Sequence, residues 1–242
     1  MKKTAKIHFT SDIKISDAII DNPYLLLLIE HFRIAMPLND KTIEKVCEEN
    51  HLNSGLFLTI ADLYNGVQCS SELPFSFDDT NTIITFLQSS HKFYLDEIYP
   101  DILVNIKQIA EVNDSREVAL VQKFFVDYFS EVTEHLDYED KVVFPYVLDL
   151  YGQIKDMPHP RKETKYSVKE YKRHHGDIEE KLNDLKNLLV KYLPQKNDQA
   201  IRRKLLLNLS ELEFDLNIHS NIEDLILIPL VTKMELHLKK SN

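Results

Sequence analysis

One stripe of residues occurs twice in this chain. Val121, Phe125, Tyr128, Val132, His135, Glu139, Val142 and Tyr146 step by four and three along one face of a helix, and His135 and Glu139 interrupt an otherwise apolar seam. Adding 84 to each number gives Leu205, Leu209, Leu212, Leu216, His219, Glu223, Ile226 and Leu230, and Pro145 recurs as Pro229. A His and a Glu four residues apart lie about 5 to 6 Å from each other at Cβ, so both side chains can turn toward one point. Two such helices facing each other offer four inward ligands.

The same offset relates His91 to His175, and each lies 44 residues before the His of its own His-x-x-x-Glu pair. A helix that leaves the level of His91, turns halfway and returns antiparallel must turn near residue 113, where the sequence is Asn113-Asp114, a turn and N-cap signal. For His175 and His219 the midpoint is 197, inside Lys196-Asn197-Asp198 and shortly after Pro194. Both hairpins can therefore bring their histidines to one level.

Around these turns the pattern predicts four long helices. The first spans 79–112, with Ile84, Leu87, His91, Tyr94, Ile98 and Ile102 inward, and the second spans 115–150. A loop with Gly152, Pro158 and Pro160 leads to a third over 167–193, with Tyr171, His175, Ile178, Leu182, Leu185 and Leu189 inward, and the fourth covers 199–239. Only four glycines and no Trp leave too few turn residues for a sandwich of short strands. The expected fold is all-α, an up-down-up-down four-helix bundle over 79–240. Pro100, Pro145 and Pro229 fall inside the helical spans and predict kinks or short interruptions there.

Ahead of the bundle the sequence predicts a tail (1–14), a small helical domain (15–66) and a linker (67–78). Ser16 can cap a first helix bearing Leu25, Leu28, Ile29 and Phe32, before a break at Met36-Pro37-Leu38-Asn39-Asp40. A second helix, capped near Asp40, carries Ile43, Val46 and Cys47; a third runs from Ser54 through Phe57, Ile60, Ala61 and Tyr64 to a Gly66 C-cap. Three short helices also suit a helix-turn-helix DNA reader, but no helix here clusters Lys and Arg.

The balance of 29 basic against 39 acidic residues, a formal charge of −10, argues against a nucleic-acid surface. Arg202-Arg203-Lys204 reads as a solvated helix face. Met1-Lys2-Lys3 is not followed by an apolar run of signal-peptide length, and the longest such run, Tyr24 to Ile29, is too short to span a bilayer, so no membrane role and a cytoplasmic location are expected. Cys47 and Cys69 have neither disulfide nor Cys-x-x-Cys spacing, and Cys47 is expected on a packed helix face.

A single His or Glu on an apolar stripe is ordinarily a satisfied core residue. The conjunction of His91, His135, Glu139, His175, His219 and Glu223 at one level is different, because two buried carboxylates without a cation between them would repel. Six ligands exceed the four of a tetrahedral zinc, and two carboxylates able to bridge suit a pair of six-coordinate ions with open positions. Imidazole and carboxylate without thiolate favour iron, then manganese, then zinc. His175 is preferred to His174, which lies about 100° around the helix. Glu179 has no counterpart at Leu95 and reads as solvated or supporting. His8, His31, His51, His159 and His237 are off the seam and are expected at the surface or at caps. Tyr94, Tyr128, Tyr146 and Tyr171, on or near the seams, could donate to a metal-bound ligand or serve as core aromatics.

The run from His91 to Pro100, the pairs in His135-Leu-Asp-Tyr-Glu139 and His219-Ser-Asn-Ile-Glu223 with their downstream prolines, and His175 before Ile178-Glu179 resemble the hemerythrin, or HHE cation-binding, domain. The resemblance covers 79–239. It implies a non-haem di-iron centre, oxo- or hydroxo-bridged, with His91, His135, His175 and His219 as terminal ligands and Glu139 and Glu223 as bridges. Oxygen-carrying hemerythrins use a further His where this chain has Glu179, so the pattern is more similar to bacterial repair-of-iron-centres proteins. Those proteins also carry a short N-terminal helical domain, which 15–65 resembles in place, length and its Thr42-Ile43-Glu44-Lys45-Val46-Cys47 run. Where that domain has adjacent cysteines, this chain has Met36-Pro37-Leu38-Asn39-Asp40.

Two functions are implied. In one, the metals react with nitric oxide or peroxide, or supply iron to damaged iron–sulfur proteins, under nitrosative or oxidative stress. In the other, the site binds oxygen or nitric oxide reversibly as a sensor or store. Whether the protein is an enzyme, and whether it forms a homo-oligomer, stays open at this level.

Overall fold

The computed structural model describes residues 8–67, 76–155, 167–168 and 178–241. Among them the chain is all-α, with no strand beyond one isolated bridge between Lys14 and Thr42. The described residues fall into two compact units, one built from 1–89, 146–168 and 218–242 and the other from 90–145 and 169–217.

The first unit contains four short helices: α1 (Ile15–Asp21), α2 (Leu25–His31), α3 (Ile43–Glu49) and α4 (Ser54–Tyr64). Three of the expected boundaries move. Ser16 lies inside α1, which Lys14 precedes without a side-chain cap, and the expected single first helix is two, parted at Asn22 and Pro23 because proline cannot donate into a continuing helix. The cap of α3 is Thr42, whose side chain accepts from the Lys45 amide, rather than Asp40. At the end of α4, Gly66 adopts φ 67°, its amide bonds the Leu63 carbonyl and that of Val67 the Asp62 carbonyl, so the expected glycine terminates the helix in a left-handed turn.

The described part of the N-terminal segment is held in place, since the Phe9 amide donates to Asp62 and the Ile43 amide to the Ile13 carbonyl. His31, expected at the surface or at a cap, lies in the last turn of α2 but is 2 % exposed and meets Phe86 edge-on, while Phe32 packs on both Phe57 and Phe86. An off-seam histidine can be buried when a neighbouring aromatic covers it, a relation that spacing within one helix does not reveal. Asn53 also donates to Asp79, and Arg33 to Ser89, so the short helices are joined by packing and polar contacts to 76–89.

The second unit is a four-helix bundle. Its apolar core draws Ile102, Ile106 and Ile109 from α6 (Tyr99–Val112), Val121, Phe125 and Val132 from α7 (Arg116–Tyr138), Leu182, Leu185 and Leu189 from α9 (Ile178–Lys191), and Leu205, Leu209 and Leu212 from α10 (Gln199–Ile222). The first hairpin turns at Asn113, with Ser115 capping α7 through the Val118 amide. The second turns at 192–198, where Asn197 takes φ 55°. Asn113 donates to the Pro194 carbonyl and thereby ties the two turns together.

The interruptions expected at the prolines are π-helical segments, Phe93–Ile98, Glu139–Val143 and Glu223–Leu227, each ending two residues before its proline. A proline lacks the N–H that would bond the carbonyl four residues back, and that carbonyl (Asp96, Lys141 or Leu225) lies inside the π segment each time. The wider turn inserts one residue into the helix, so a stripe read at spacings of three and four slips. Past Glu139 the buried positions include Val143, Phe144 and Val147, none more than 1 % exposed, whereas Val142, expected inward, is 36 % exposed; past Glu223 the expected Ile226 and Leu230 stay buried, joined by Leu227. Continuing these helices are α5 (Thr80–Lys92) before the first π segment, α8 (Phe144–Ile154) after the second and α11 (Ile228–Ser241) after the third.

Candidate metal centre

Glu139 and Glu223 are each the first residue of a π segment, and His91 lies two residues before one. Such segments recur at functional sites because the irregular turn re-aims side chains that a regular helix would spread evenly. Glu139 is fully buried, and its two oxygens face two different histidines. His91 Nε2 is 3.3 Å from Oε2, and His135 Nε2 is 3.1 Å from Oε1. The His135 side chain is 17 % exposed.

His219 and Glu223 repeat the pair at the end of α10, with Nε2 of His219 3.6 Å from Oε1 of Glu223 and both residues buried. Five of the six candidate ligands thus occupy paired, largely buried positions. The sixth, His175, lies outside the described residues, as do His174, Tyr171, His159 and the Glu179 side chain.

The residues present fit a metal cation. They supply imidazole nitrogens and carboxylate oxygens without thiolate, in an interior where an uncompensated carboxylate is costly and a cation removes the penalty. Cys47 is not part of this chemistry. Cys47 is 2 % exposed on α3, and burial pushes its pKa up to about 12, which keeps it a neutral thiol; Cys69 lies outside the described residues.

The seam tyrosines divide. The Tyr94 hydroxyl donates to Asp215 at 2.9 Å, and that of Tyr146 to Glu235 at 2.7 Å, so both donors have carboxylate acceptors apart from the candidate ligands. Burial, with Glu235 adding to it, raises the Tyr146 pKa far above the usual phenol range. Tyr128 packs beside Tyr99, whose own ionisation burial suppresses strongly and the Tyr128 hydroxyl suppresses further.

Residues 84–231 match the hemerythrin HHE cation binding domain, more than half of the chain. The chain belongs to that family. No curated protein matches the chain. The hemerythrin domain accounts for the histidine–glutamate pattern, since all six candidate ligands fall inside the matched span and modules of this family bind metal cations. Among the described residues no helix of the hemerythrin domain, or of the segment before it, is long and apolar enough to cross a membrane.

One polar residue beside the centre escaped the stripe. Asp140 follows Glu139, lies off the seam, and places Oδ2 3.2 Å from Nδ1 of His91. The offset of 84 would have marked it, because Asp140 maps onto Asp224, directly after Glu223.

Proposed function

We propose that this hemerythrin-domain protein holds a pair of non-haem iron ions and uses them on a small molecule, nitric oxide or peroxide, during nitrosative or oxidative stress. The observation that carries the reading is Glu139, whose two oxygens each face the Nε2 of a separate histidine, an arrangement suited to a carboxylate shared by two ions. His91, His135, His175 and His219 are the terminal ligands in this reading, with Glu139 and Glu223 as bridges. A bound iron pair would supply Lewis acidity and redox chemistry at positions open to a small ligand. The chain's own part is to fix the imidazoles, exclude bulk water with the apolar core and neutralise the ions with two carboxylates.

Iron–sulfur cluster repair is the physiological role we assign, with iron rather than thiols as the agent. Cys47 supports that choice, being buried and un-ionised at neutral pH. A cytoplasmic location and a separate N-terminal domain over 15–66 belong to the same proposal, and first proteolytic cleavage within 67–78 is expected. The decisive experiment is anaerobic single turnover of the iron-loaded protein with nitric oxide. Conversion to nitrous oxide supports chemistry at the centre, a stable reversible adduct replaces it with a sensor or store, and failure of the purified protein to take up iron removes the reading.

A further inference from the structure

We infer that Asp140 is a positioning residue for His91, holding its imidazole with the proton on Nδ1 so that Nε2 is the nitrogen offered to a metal. The inference rests on the metal-centre reading above and adds to it a residue outside the ligand set. His91 is gripped on three sides by one stretch of the neighbouring helix. Glu139 faces Nε2 at 3.3 Å and Asp140 faces Nδ1 at 3.2 Å, ion-pair contacts that do not align as hydrogen bonds, and the Phe144 ring stacks on the imidazole with centroids 5.5 Å apart and planes 22° from parallel.

Consecutive residues on a helix diverge by about 100°, so two adjacent side chains do not ordinarily serve one point. Here they reach opposite edges of one ring, which an imidazole allows because its two nitrogens point apart. The turn that places them is the π segment Glu139–Val143, and Phe144 follows immediately after it. His91 itself is 1 % exposed, so the orientation of its ring is set by protein groups rather than by water.

In a neutral imidazole one nitrogen carries the proton and the other a lone pair, and the acceptor beside one nitrogen selects the tautomer. A carboxylate at Nδ1 favours the proton there, leaves the Nε2 lone pair for a cation and makes that nitrogen a better donor. Asp140 is available for this role. Its neighbour Lys141 pairs with Asp137 at 2.5 Å, and among the described residues His91 is the ionisable partner of Asp140. The offset of 84 maps Asp140 onto Asp224 and His91 onto His175, which lies outside the described residues. The two halves share the Glu-Asp sequence, and the first half places its Asp against a described histidine.

The test uses the full chain in four forms: wild type, Asp140→Asn, Asp140→Leu and Asp224→Leu. Fe(II) affinity is read by competition with a chromophoric chelator under anaerobic conditions, and the His91 tautomer by nitrogen-15 NMR of the metal-free protein, assigned with a His91→Gln variant. Asp140→Leu is expected to weaken Fe(II) binding about 10- to 100-fold and to lose the Nδ1-protonated form of His91. Asp140→Asn keeps an acceptor oxygen and recovers most of both, and Asp224→Leu leaves the His91 tautomer as in wild type. Wild-type affinity and tautomer in Asp140→Leu would overturn the inference while leaving the metal centre standing. An Nε2-protonated His91 in the wild type would overturn it as well. Absence of Fe(II) binding by the wild type would bring down the metal-centre reading itself, and the inference with it.

Discussion

Tyr94 and Asp215, 121 residues apart, meet in the core of the bundle, where the phenol donates to the carboxylate at 2.9 Å and neither residue is more than 1 % exposed. Tyr94 lies three residues after His91 and Asp215 four before His219, so one hydrogen bond registers the two helices that carry these candidate ligands. Tyr94→Phe removes the donor from a buried carboxylate and should cost about 1–3 kcal/mol, read as a lower urea midpoint. A double-mutant cycle with Asp215→Asn isolates the pair. An unchanged midpoint in Tyr94→Phe would show that the bond adds nothing to stability.

The arrangement around Glu139 separates the effects of its neighbours. If its oxygens serve two ions, Glu139→Ala should lose both, whereas His135→Ala, with a side chain 17 % exposed, should lose chiefly the ion on its own side. Metal analysis after anaerobic reconstitution checks this. Equal, complete loss in both variants would mean that the ions cannot be held singly.

Removing the metal should lower the melting temperature, because the unfolded chain does not present a preformed site and binding stabilises only the fold. Chelator-treated and iron-reconstituted protein, compared by calorimetry, give the measurement. Identical transitions in the two samples would sink the idea.

Arg202 closes the second hairpin. Its guanidinium donates to the carbonyls of Leu189, Leu193 and Pro194 and pairs with Asp198 at 2.8 Å, whose side chain is fully buried. Arg202→Ala strips a buried carboxylate of its cation and the end of α9 of its donors, an expected loss of about 3–5 kcal/mol. Lysine cannot reproduce the planar fork, so Arg202→Lys should recover only part of it. Chemical denaturation of the three proteins reads the order.

Cys47 sets an alkaline limit. Its pKa moves up from 9.0 to about 12 on folding, so the native state keeps a proton that the unfolded chain releases. This contribution is fully present below about pH 9 and is lost as pH rises toward 12. In a Cys69→Ser background, a thiol reagent at pH 8 should label Cys47 only after denaturation. Cys47→Ala should flatten the alkaline fall in melting temperature, and prompt labelling of the native protein would contradict the burial.

The stripe spacing and the offset of 84 determine a great deal without coordinates: four long amphipathic helices, turns at Asn113 and near Asn197, and His-Glu pairs on inward faces. These are properties of single helices, where period and side-chain direction are local consequences of backbone geometry. The prolines likewise announce interruptions at 100, 145 and 229. Whether such an interruption becomes a kink, a break or a π turn depends on which neighbouring helix the following residues can pack against. That choice buries Val143 in place of Val142.

The tertiary structure alone decided what crosses between elements. His31 is a core residue because Phe86 covers it, Tyr94 has an acceptor because Asp215 comes to its level, and Asp140 faces His91 because a π turn aims two consecutive carboxylates at one ring. Nothing in the periodicity of one helix specifies the side chain opposite. That pairing is set by how helices pack together, where rotation by a single residue exchanges one neighbour for another.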